Sequence, residues 1–300
     1  MIVAIFGATA SGKSALALAL ARRAPCEIVS ADSMQVYAGV EALTNQPTPA
    51  ERDAVPHHLV GYLPLTATSS VGAHAGLAHA AIDAIAERGA TPLVVGGTGL
   101  YLRAALTELG LPPSVAPEER MRWEGFYDER GAVAALAELA ERDPRAAAKL
   151  HPNDRRRVVR GLELAAQGAS LAPDEDRLWG TGMRRPAVVA VVSWPRAELR
   201  ARIAIRTDAM LAGGAVDEVR ALRESGAEPS PTAARILGLS QIGAYLDGDA
   251  TLAATAAEIA LRTGQYARRQ ETWARRIDAF ELAGADGPEH NADRLLELIR

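Results

Sequence analysis

Cysteine and long apolar runs are scarce in this chain, and each scarcity excludes a class of protein. The only cysteine is Cys26, which excludes an internal disulfide and is compatible with a reducing compartment. No apolar run is long enough for a membrane helix, and no basic segment precedes the first apolar run as it would in a secretory signal. We therefore expect a folded cytoplasmic protein that does not contact a membrane.

Lysine is scarce too, and the charge is unevenly distributed. The net charge of −4 argues against a protein that coats nucleic acid indiscriminately, but the basic residues are clustered, which leaves room for a local basic face. Almost all of them are arginine, and the only lysines are Lys13 and Lys149. Lys13 is therefore a candidate for a specific role.

Short apolar runs flanked by helix-forming sequence organise most of the chain. They cover residues 2–6, 27–30 and 92–95, and such runs are typical of buried parallel strands. A further run at 186–192 precedes a predicted helix from Arg196 to Leu211, which we expect Gly213 and Gly214 to end.

Alanine-rich helical sequence without a strand signal begins near residue 110. We therefore predict an α/β fold whose mainly parallel sheet is flanked by helices and interrupted by a helical insert domain. The core is expected to comprise residues 1–109 and 187–300, and the insert residues 110–186.

The first strand runs directly into a phosphate-binding motif. Residues Gly7-Ala8-Thr9-Ala10-Ser11-Gly12-Lys13-Ser14 fit the pattern G-x-x-x-x-G-K-[ST] between a predicted strand and a predicted helix. In such a P-loop the backbone N–H groups converge on phosphate oxygens, while Lys13 supplies a charge and Ser14 a hydroxyl for Mg²⁺. The motif predicts a P-loop NTPase-like core but does not identify the phosphate compound.

The end of the 92–95 strand leaves two classes of enzyme open. A P-loop NTPase normally carries a metal-binding aspartate at the end of a later strand, but this strand ends in Gly96-Gly97-Thr98-Gly99. Neutral Thr98 stands where that carboxylate is expected. One alternative is a small-molecule or nucleotide kinase, and the other is an enzyme that binds a diphosphate without hydrolysing ATP.

Asp32 follows the 27–30 strand and is expected in the same crevice as the P-loop. Its position allows a general base, a metal ligand or a helix N-cap, and by itself a strand-to-helix turn favours the cap. The adjacent His57 and His58 do not predict a metal pair, because neighbouring side chains point apart and no further ligand is suitably spaced.

Seven blocks of the sequence together resemble the tRNA dimethylallyltransferases, in the order in which that family carries them. They thin out only at 108–148, at 168–186 and in the last two dozen residues. The blocks are GATASGKS, EIVSADSMQVYAG, VPHHL, PLVVGGTGLYLRA, LHPNDRRRVVRGLEL, RTDAMLAGGAVDEVRAL and TGQYARRQETW.

The resemblance implies a reaction and its participants. A dimethylallyl group would pass from dimethylallyl diphosphate to N6 of adenosine 37, next to the anticodon, in tRNAs that read codons beginning with U. The products would be N6-(dimethylallyl)adenosine and diphosphate. The implied partners are the anticodon stem-loop of tRNA and dimethylallyl diphosphate, with Mg²⁺ as cofactor, and we expect a monomer.

The resemblance also implies roles for individual residues. Gly7 to Ser14 and Arg206 would bind the prenyl diphosphate, with Mg²⁺ at Ser14. Asp32 would be the general base, with Thr98 placing the substrate and Arg206 stabilising the leaving group. The residues implied in tRNA binding are Asp32, Ser33, Met34, Gln35, Thr98, Arg156, Arg157 and Arg160.

Two features have simpler interpretations or depart from the family. Helical spacing places Arg156 and Arg160 on one face with Arg157 beside them, which favours a row of outward guanidinium groups, although a solvated face is the alternative. Leu239 and Ser240 stand where the family usually has an aromatic and then a basic residue, so a tRNA contact from them is not predicted.

Overall fold

The computed structural model describes residues 1–109, 115–172 and 182–299. It divides the chain into two compact units. The larger unit comprises Met1–Glu108 and Met183–Arg300, and the smaller comprises Leu109–Gly182. Within the described ranges, no helix has both the length and the apolar character needed to cross a membrane.

A six-stranded parallel sheet forms the centre of the larger unit, with the order β3-β2-β4-β1-β5-β6. This arrangement confirms the predicted α/β fold with a mainly parallel sheet. The strands are β1 Ile2–Gly7, β2 Cys26–Ser30, β3 His57–His58, β4 Thr91–Gly96, β5 Ala187–Ser193 and β6 Phe280–Ala283.

Helices cover both faces of this sheet, which explains why its central strands β4, β1 and β5 are mainly apolar. On one face Ile5 packs with Leu20, and on the other Phe6 packs with Ile82. The helices of this unit are α1 Lys13–Ala21, α2 Glu41–Thr44, α3 Pro49–Ala54, α4 Val71–Glu87, α5 Gly99–Leu106, α10 Arg196–Met210, α11 Val216–Glu224, α12 Leu239–Leu246, α13 Leu252–Ala274 and α14 Pro288–Ile299.

The helix expected to stop at the glycine pair is broken there. A kinked turn, Leu211–Ala215, separates α10 from α11. Gly214 adopts φ 107° inside this turn, and the next residue, Ala215, is buried. The prediction that the glycine pair ends the helix is therefore confirmed at Gly214, and burial of Ala215 and Val219 anchors the helix that follows.

The described residues of the smaller unit form helices joined by turns, as predicted for the insert. Its core contains Trp123, Leu139 and Leu162. A side chain at Gly161 would lie 2.7 Å from Leu139, so the glycine permits close packing of two helices. The helices are α6 Pro117–Arg130, α7 Ala132–Arg142, α8 Pro144–Ala147 and α9 Arg155–Ala166.

Candidate active site

Three predicted motifs meet at the carboxyl edge of the sheet. Strands β2, β4 and β1 are neighbours and parallel, so the loops that follow them open into one crevice. The P-loop follows β1, Asp32 follows β2, and Thr98 follows β4. Strand order thus brings together residues that are far apart in the sequence.

The P-loop turns back on itself before α1 begins. Ser11 donates its backbone N–H to the Ala8 carbonyl at 3.1 Å, and Gly12 adopts φ 94°. The ammonium group of Lys13 lies 3.5 Å from the same Ala8 carbonyl. Burial lowers the pKa of Lys13 to about 8, an effect that Asp32 opposes and Arg206 reinforces.

Arg206 reaches the same loop from α10. Its Nη1 donates to Thr9 Oγ1 at 2.6 Å, and burial lowers the pKa of its guanidinium while Asp32 acts in the opposite direction. Arg206 and Lys13 both line a cavity of about 350 Å³ together with Gly12 and Ser14. Two poorly solvated cations beside a helix N-terminus form a site that an anion would stabilise.

Asp32 lies in a second cavity, which it shares with Arg206. Its Oδ1 accepts the Met34 backbone N–H at 2.9 Å, so one carboxylate oxygen holds a turn; the helix N-cap interpretation was wrong, because the next described helix begins only at Glu41. No hydrogen bond to the other oxygen, Oδ2, occurs within the described part of the chain. The second cavity has a mixed lining, with apolar Met34, Leu43, Ile203, Met210, Leu237 and Ile259 and polar Thr9, Asp32, Thr44, Arg206, Thr207, Thr263, Tyr266 and Gln270.

Thr98 and its neighbours form a hydrogen-bonded junction in the crevice. Thr98 Oγ1 accepts the Ser33 backbone N–H at 3.2 Å and lies 3.2 Å from the hydroxyl of Tyr266. Gln35 donates from Nε2 to the Asn45 carbonyl at 2.7 Å. Of the predicted tRNA-binding residues here, Ser33 and Gln35 therefore also stabilise the loop that carries Asp32.

Gln270 is the main residue that the sequence analysis missed. It is buried on α13, accepts the Thr9 backbone N–H at 2.8 Å and donates to the Gly97 carbonyl at 2.8 Å. It therefore connects the P-loop to the loop after β4. Tyr266 lies one helical turn earlier on α13, and burial raises its pKa to about 12.

The glycines after β4 are explained by close packing. A side chain at Gly97 would lie 2.2 Å from Gln270 Nε2, and one at Gly99 would lie 2.4 Å from the Trp273 ring. Trp273 itself packs against the core beneath α5. Its contacts agree with the packing role that is usual for tryptophan.

His57 and His58 have separate environments. His58 Nε2 lies 2.7 Å from a carboxylate oxygen of Glu27, whereas His57 hydrogen-bonds through Nδ1 to the Val55 carbonyl at 2.7 Å. His57 lines a cavity that also contains Lys13 and Ser14. The described residues contain no cluster of three or more histidine, cysteine or carboxylate side chains that could hold a metal ion.

The arginines of α9 differ from one another in the smaller unit. Arg156 and Arg157 are exposed, and Arg157 lies 3.3 Å from Asp154. Arg160 instead donates from Nη1 to Glu163 at 2.8 Å, and buried Glu163 also accepts from Arg120 at 3.0 Å. The expectation of three outward guanidinium groups is therefore corrected for Arg160.

Leu239 and Ser240, which depart from the family pattern, are the first two residues of α12. Leu239 is buried in a core cluster with Ile242 and Ile259, whereas Ser240 is exposed. Leu239 thus contributes to packing of the helix. A leucine buried at this level cannot stack on an RNA base.

The fold and the site define a P-loop α/β enzyme with an anion pocket next to a carboxylate. A family model described as IPP transferase matches residues 35–277, and one described as isopentenyl transferase matches residues 1–57. The chain is 41% identical to the tRNA dimethylallyltransferase of Thermobifida fusca, with 99% of this chain and 94% of that protein covered. It is 42% identical to the enzyme of the same name from Kineococcus radiotolerans, with 99% and 96% covered.

Solved structures similar to this chain are also of tRNA-modifying prenyltransferases. The tRNA isopentenylpyrophosphate transferase of Staphylococcus epidermidis superposes with a TM-score of 0.71 at 28% identity, covering 99% of this chain and 98% of the other. A eukaryotic dimethylallyltransferase acting on tRNA superposes with a TM-score of 0.77 at 25% identity, covering 94% and 73%. The chain belongs to the IPP transferase family and is a prenyltransferase.

Proposed function

We propose that this chain transfers a dimethylallyl group from dimethylallyl diphosphate to N6 of adenosine 37, beside the anticodon, in tRNAs that read codons beginning with U. The observation that carries the proposal is the anion pocket of Lys13 and Arg206, which borders the Asp32 carboxylate at the edge of the sheet. The products are the N6-(dimethylallyl)adenosine of the tRNA and diphosphate.

The P-loop holds the diphosphate of the prenyl donor. Lys13 and Arg206 lose solvation in the folded protein, so a diphosphate restores the interactions that each cation lacks. When the bond between the prenyl C1 and the diphosphate oxygen breaks, negative charge grows on the leaving group. The two cations and the backbone N–H groups of the loop stabilise that charge.

Mg²⁺ fits this pocket as a partner of the diphosphate. Ser14 lines the pocket with Lys13, and Ser14 and Asp32 also line a common cavity, so a hydroxyl and a carboxylate are available to a hard cation. The described residues offer too few ligands for a metal site made of protein alone. Ser14 would hold the ion, which would neutralise diphosphate charge when bound.

Asp32 is the general base of the proposed reaction. The exocyclic N6 attacks the prenyl C1, and a proton leaves N6 for Asp32 Oδ2 as the new C–N bond forms. The hydrogen bond from Met34 to Oδ1 fixes the carboxylate while Oδ2 stays available. Thr98 positions the substrate from the junction with Ser33 and Tyr266.

The target adenosine must leave its stack to reach this crevice, and the smaller unit would hold the anticodon stem. Exposed Arg156 and Arg157 suit backbone phosphates, which position an RNA without reading its sequence. Met34 lines the cavity beside Asp32, where it can contact the base. The chain is proposed to act as a monomer in the cytoplasm, where its single cysteine suits a reducing compartment.

The kinase alternative is not favoured. Strand β4 leads to Thr98 rather than to a metal-binding carboxylate, and the similar proteins are named as tRNA-modifying prenyltransferases. The P-loop here serves a diphosphate that is already part of the donor.

A direct assay separates the two classes. Purified protein is incubated with unmodified tRNA, Mg²⁺ and either labelled dimethylallyl diphosphate or ATP, and the nucleosides of the tRNA are analysed. We expect N6-(dimethylallyl)adenosine from the prenyl donor alone, with loss of product in Lys13→Ala. Stoichiometric ATP consumption, or the absence of prenylated nucleoside, would contradict the proposal.

A further inference from the structure

Two side chains outside the sequence motifs bind carbonyl groups of the P-loop, and one of them, Arg202, also lines the anion pocket. Trp194 directly follows β5, and its Nε1–H donates to the Ser11 carbonyl at 2.8 Å. Arg202 on α10 donates its Nε–H to the Ala10 carbonyl at 2.8 Å. Two consecutive carbonyl groups of the loop are therefore each held by a side-chain donor.

These two side chains also hold each other in place. The guanidinium carbon of Arg202 lies 4.2 Å from the centroid of the Trp194 ring, which is the geometry of a cation–π contact. Gly284, just after β6, leaves room for the indole, because a side chain there would lie 1.9 Å from Trp194 Nε1. We call Trp194 and Arg202 the P-loop brace.

The brace acts on a residue with an unfavourable backbone conformation. Ala10 adopts φ 63°, where an L-residue brings its Cβ close to the following carbonyl oxygen. Such a conformation persists only when surrounding contacts impose it. Arg202 binds the carbonyl of Ala10 itself, and Trp194 binds the next carbonyl along the chain.

The orientation of these carbonyls determines whether the loop can bind an anion. Backbone N–H groups face the phosphate only when the carbonyls of the same peptides face away from it. The Ser11 carbonyl shares its peptide with the N–H of Gly12, the residue that precedes α1. A donor on that carbonyl fixes the peptide plane and strengthens its N–H as a donor.

We propose that Trp194 and Arg202 are positioning residues that hold the P-loop in its anion-binding conformation and so set its affinity for the diphosphate of the prenyl donor. The inference rests on the proposed function, in which the P-loop binds that diphosphate. The brace lets an alanine occupy a left-handed position that otherwise favours glycine. Neither residue needs to touch the reacting atoms.

Trp194→Phe and Arg202→Met test the two halves of the brace separately. The phenylalanine keeps a ring beneath Arg202 but loses the N–H, and the methionine keeps much of the stem but loses the donor. Binding of inorganic diphosphate with Mg²⁺ is measured by calorimetry, and KM is measured for both substrates. We expect roughly tenfold weaker diphosphate binding and a similar rise in KM for dimethylallyl diphosphate, with KM for tRNA unchanged.

Arg200→Met is the matched control, because Arg200 is exposed on the same helix. It should bind diphosphate as the unmodified protein does. Ala10→Gly provides a test that a merely structural role would not pass, since glycine adopts the left-handed conformation without steric cost. Added to Trp194→Phe, it should recover much of the lost diphosphate affinity.

Wild-type diphosphate affinity in both brace variants would overturn the inference, even if their thermal stability fell. A loss of affinity in Trp194→Phe that Ala10→Gly leaves unchanged would also overturn it, because the loop conformation would not be the cause. Lys13→Ala distinguishes a failure of this inference from a failure of the proposed function. If that variant still binds diphosphate as well as the unmodified protein, the proposed function itself fails.

Discussion

At the scale of single residues, Asp32 combines a structural and a chemical task. Asp32→Asn should keep the bond to Met34, since the amide oxygen also accepts a hydrogen bond, but it cannot receive the N6 proton. We expect the single-turnover rate on bound tRNA to fall by about 10²–10⁴-fold.

Two controls accompany Asp32→Asn. Unchanged thermal stability would show that the turn is intact, and retained diphosphate binding would show that the anion pocket is intact. An unchanged single-turnover rate in this variant would show that Asp32 is not the general base. Its role would then be limited to stabilising the turn at Met34.

Loss of the Lys13 proton should weaken diphosphate binding as the pH rises. Its pKa is lowered to about 8, so its ammonium group loses its proton as the pH rises through that value. A diphosphate ester is fully ionised above pH 7, because the last ionisation of a phosphate lies at about pH 6. Affinity for dimethylallyl diphosphate should therefore be constant between about pH 7 and 7.5 and fall at higher pH.

Calorimetric titrations across this pH range test the dependence, with Lys13→Arg as the matched control. Arginine stays charged throughout, so the decline should be absent in a variant that still binds. A decline of the same size with arginine at position 13 would assign the pH dependence to another group.

At the scale of elements, the sequence predicted the strands that are short, apolar and buried on both faces. It missed β6, whose residues Phe280–Ala283 include Glu281 and give no clear periodic signal. That strand exists because it pairs with β5, a contact that local sequence does not encode. The break at Gly213 and Gly214 was predictable, because a glycine that adopts a positive φ is a common helix stop signal.

The candidate site was predictable where a motif carries its own chemistry, as in the P-loop. Gln270 was not, because its function depends on two loops that approach it only in the folded protein. The ion pair of Arg160 with Glu163 was not predicted, although the sequence carries a signal for it. Glu163 lies three residues further along the same helix, and this spacing favours an ion pair.

Helix α9 leads to a prediction that separates its arginines. Changing Arg156 and Arg157 together to alanine should weaken tRNA binding and reduce the slope of log affinity against log salt by roughly 0.7–0.9 per lost phosphate contact. Affinity for dimethylallyl diphosphate should not change. Filter binding at several salt concentrations measures the slope. An unaltered slope in the folded variant would show that Arg156 and Arg157 form a solvated face of α9 that does not bind tRNA.

Arg160→Ala should behave differently, because it leaves the buried carboxylate of Glu163 with one cationic partner fewer. We expect a lower free energy of unfolding, by about 1–3 kcal/mol. Adding Glu163→Gln should restore part of that loss by removing the buried charge. Restoration would assign Arg160 to the stability of the smaller unit, whereas a full loss of tRNA affinity at unchanged stability would return it to the RNA-binding surface.

At the scale of the whole molecule, the larger unit folds around a pocket in which Lys13 and Arg206 are poorly solvated. Burial disfavours the charged forms of Lys13 and Arg206 and outweighs the opposing effect of Asp32, and Arg206 further disfavours the charged form of Lys13. Their charges therefore oppose folding while the pocket is empty and favour binding once a diphosphate enters. The same arrangement that prepares the site for its substrate thus makes ligand binding stabilise the fold.

This coupling predicts a measurable shift in thermal unfolding. A ligand that binds only the folded protein stabilises it by about 2.7 kcal/mol at a free concentration of 100 times Kd. For a unit of this size, each kcal/mol raises Tm by roughly 2–4 °C, so saturating inorganic diphosphate with Mg²⁺ should raise Tm by about 5–10 °C. Inorganic sulfate at the same ionic strength controls for general salt effects. Lys13→Ala should abolish most of the shift, and an equal shift in that variant would place the stabilising diphosphate outside the P-loop.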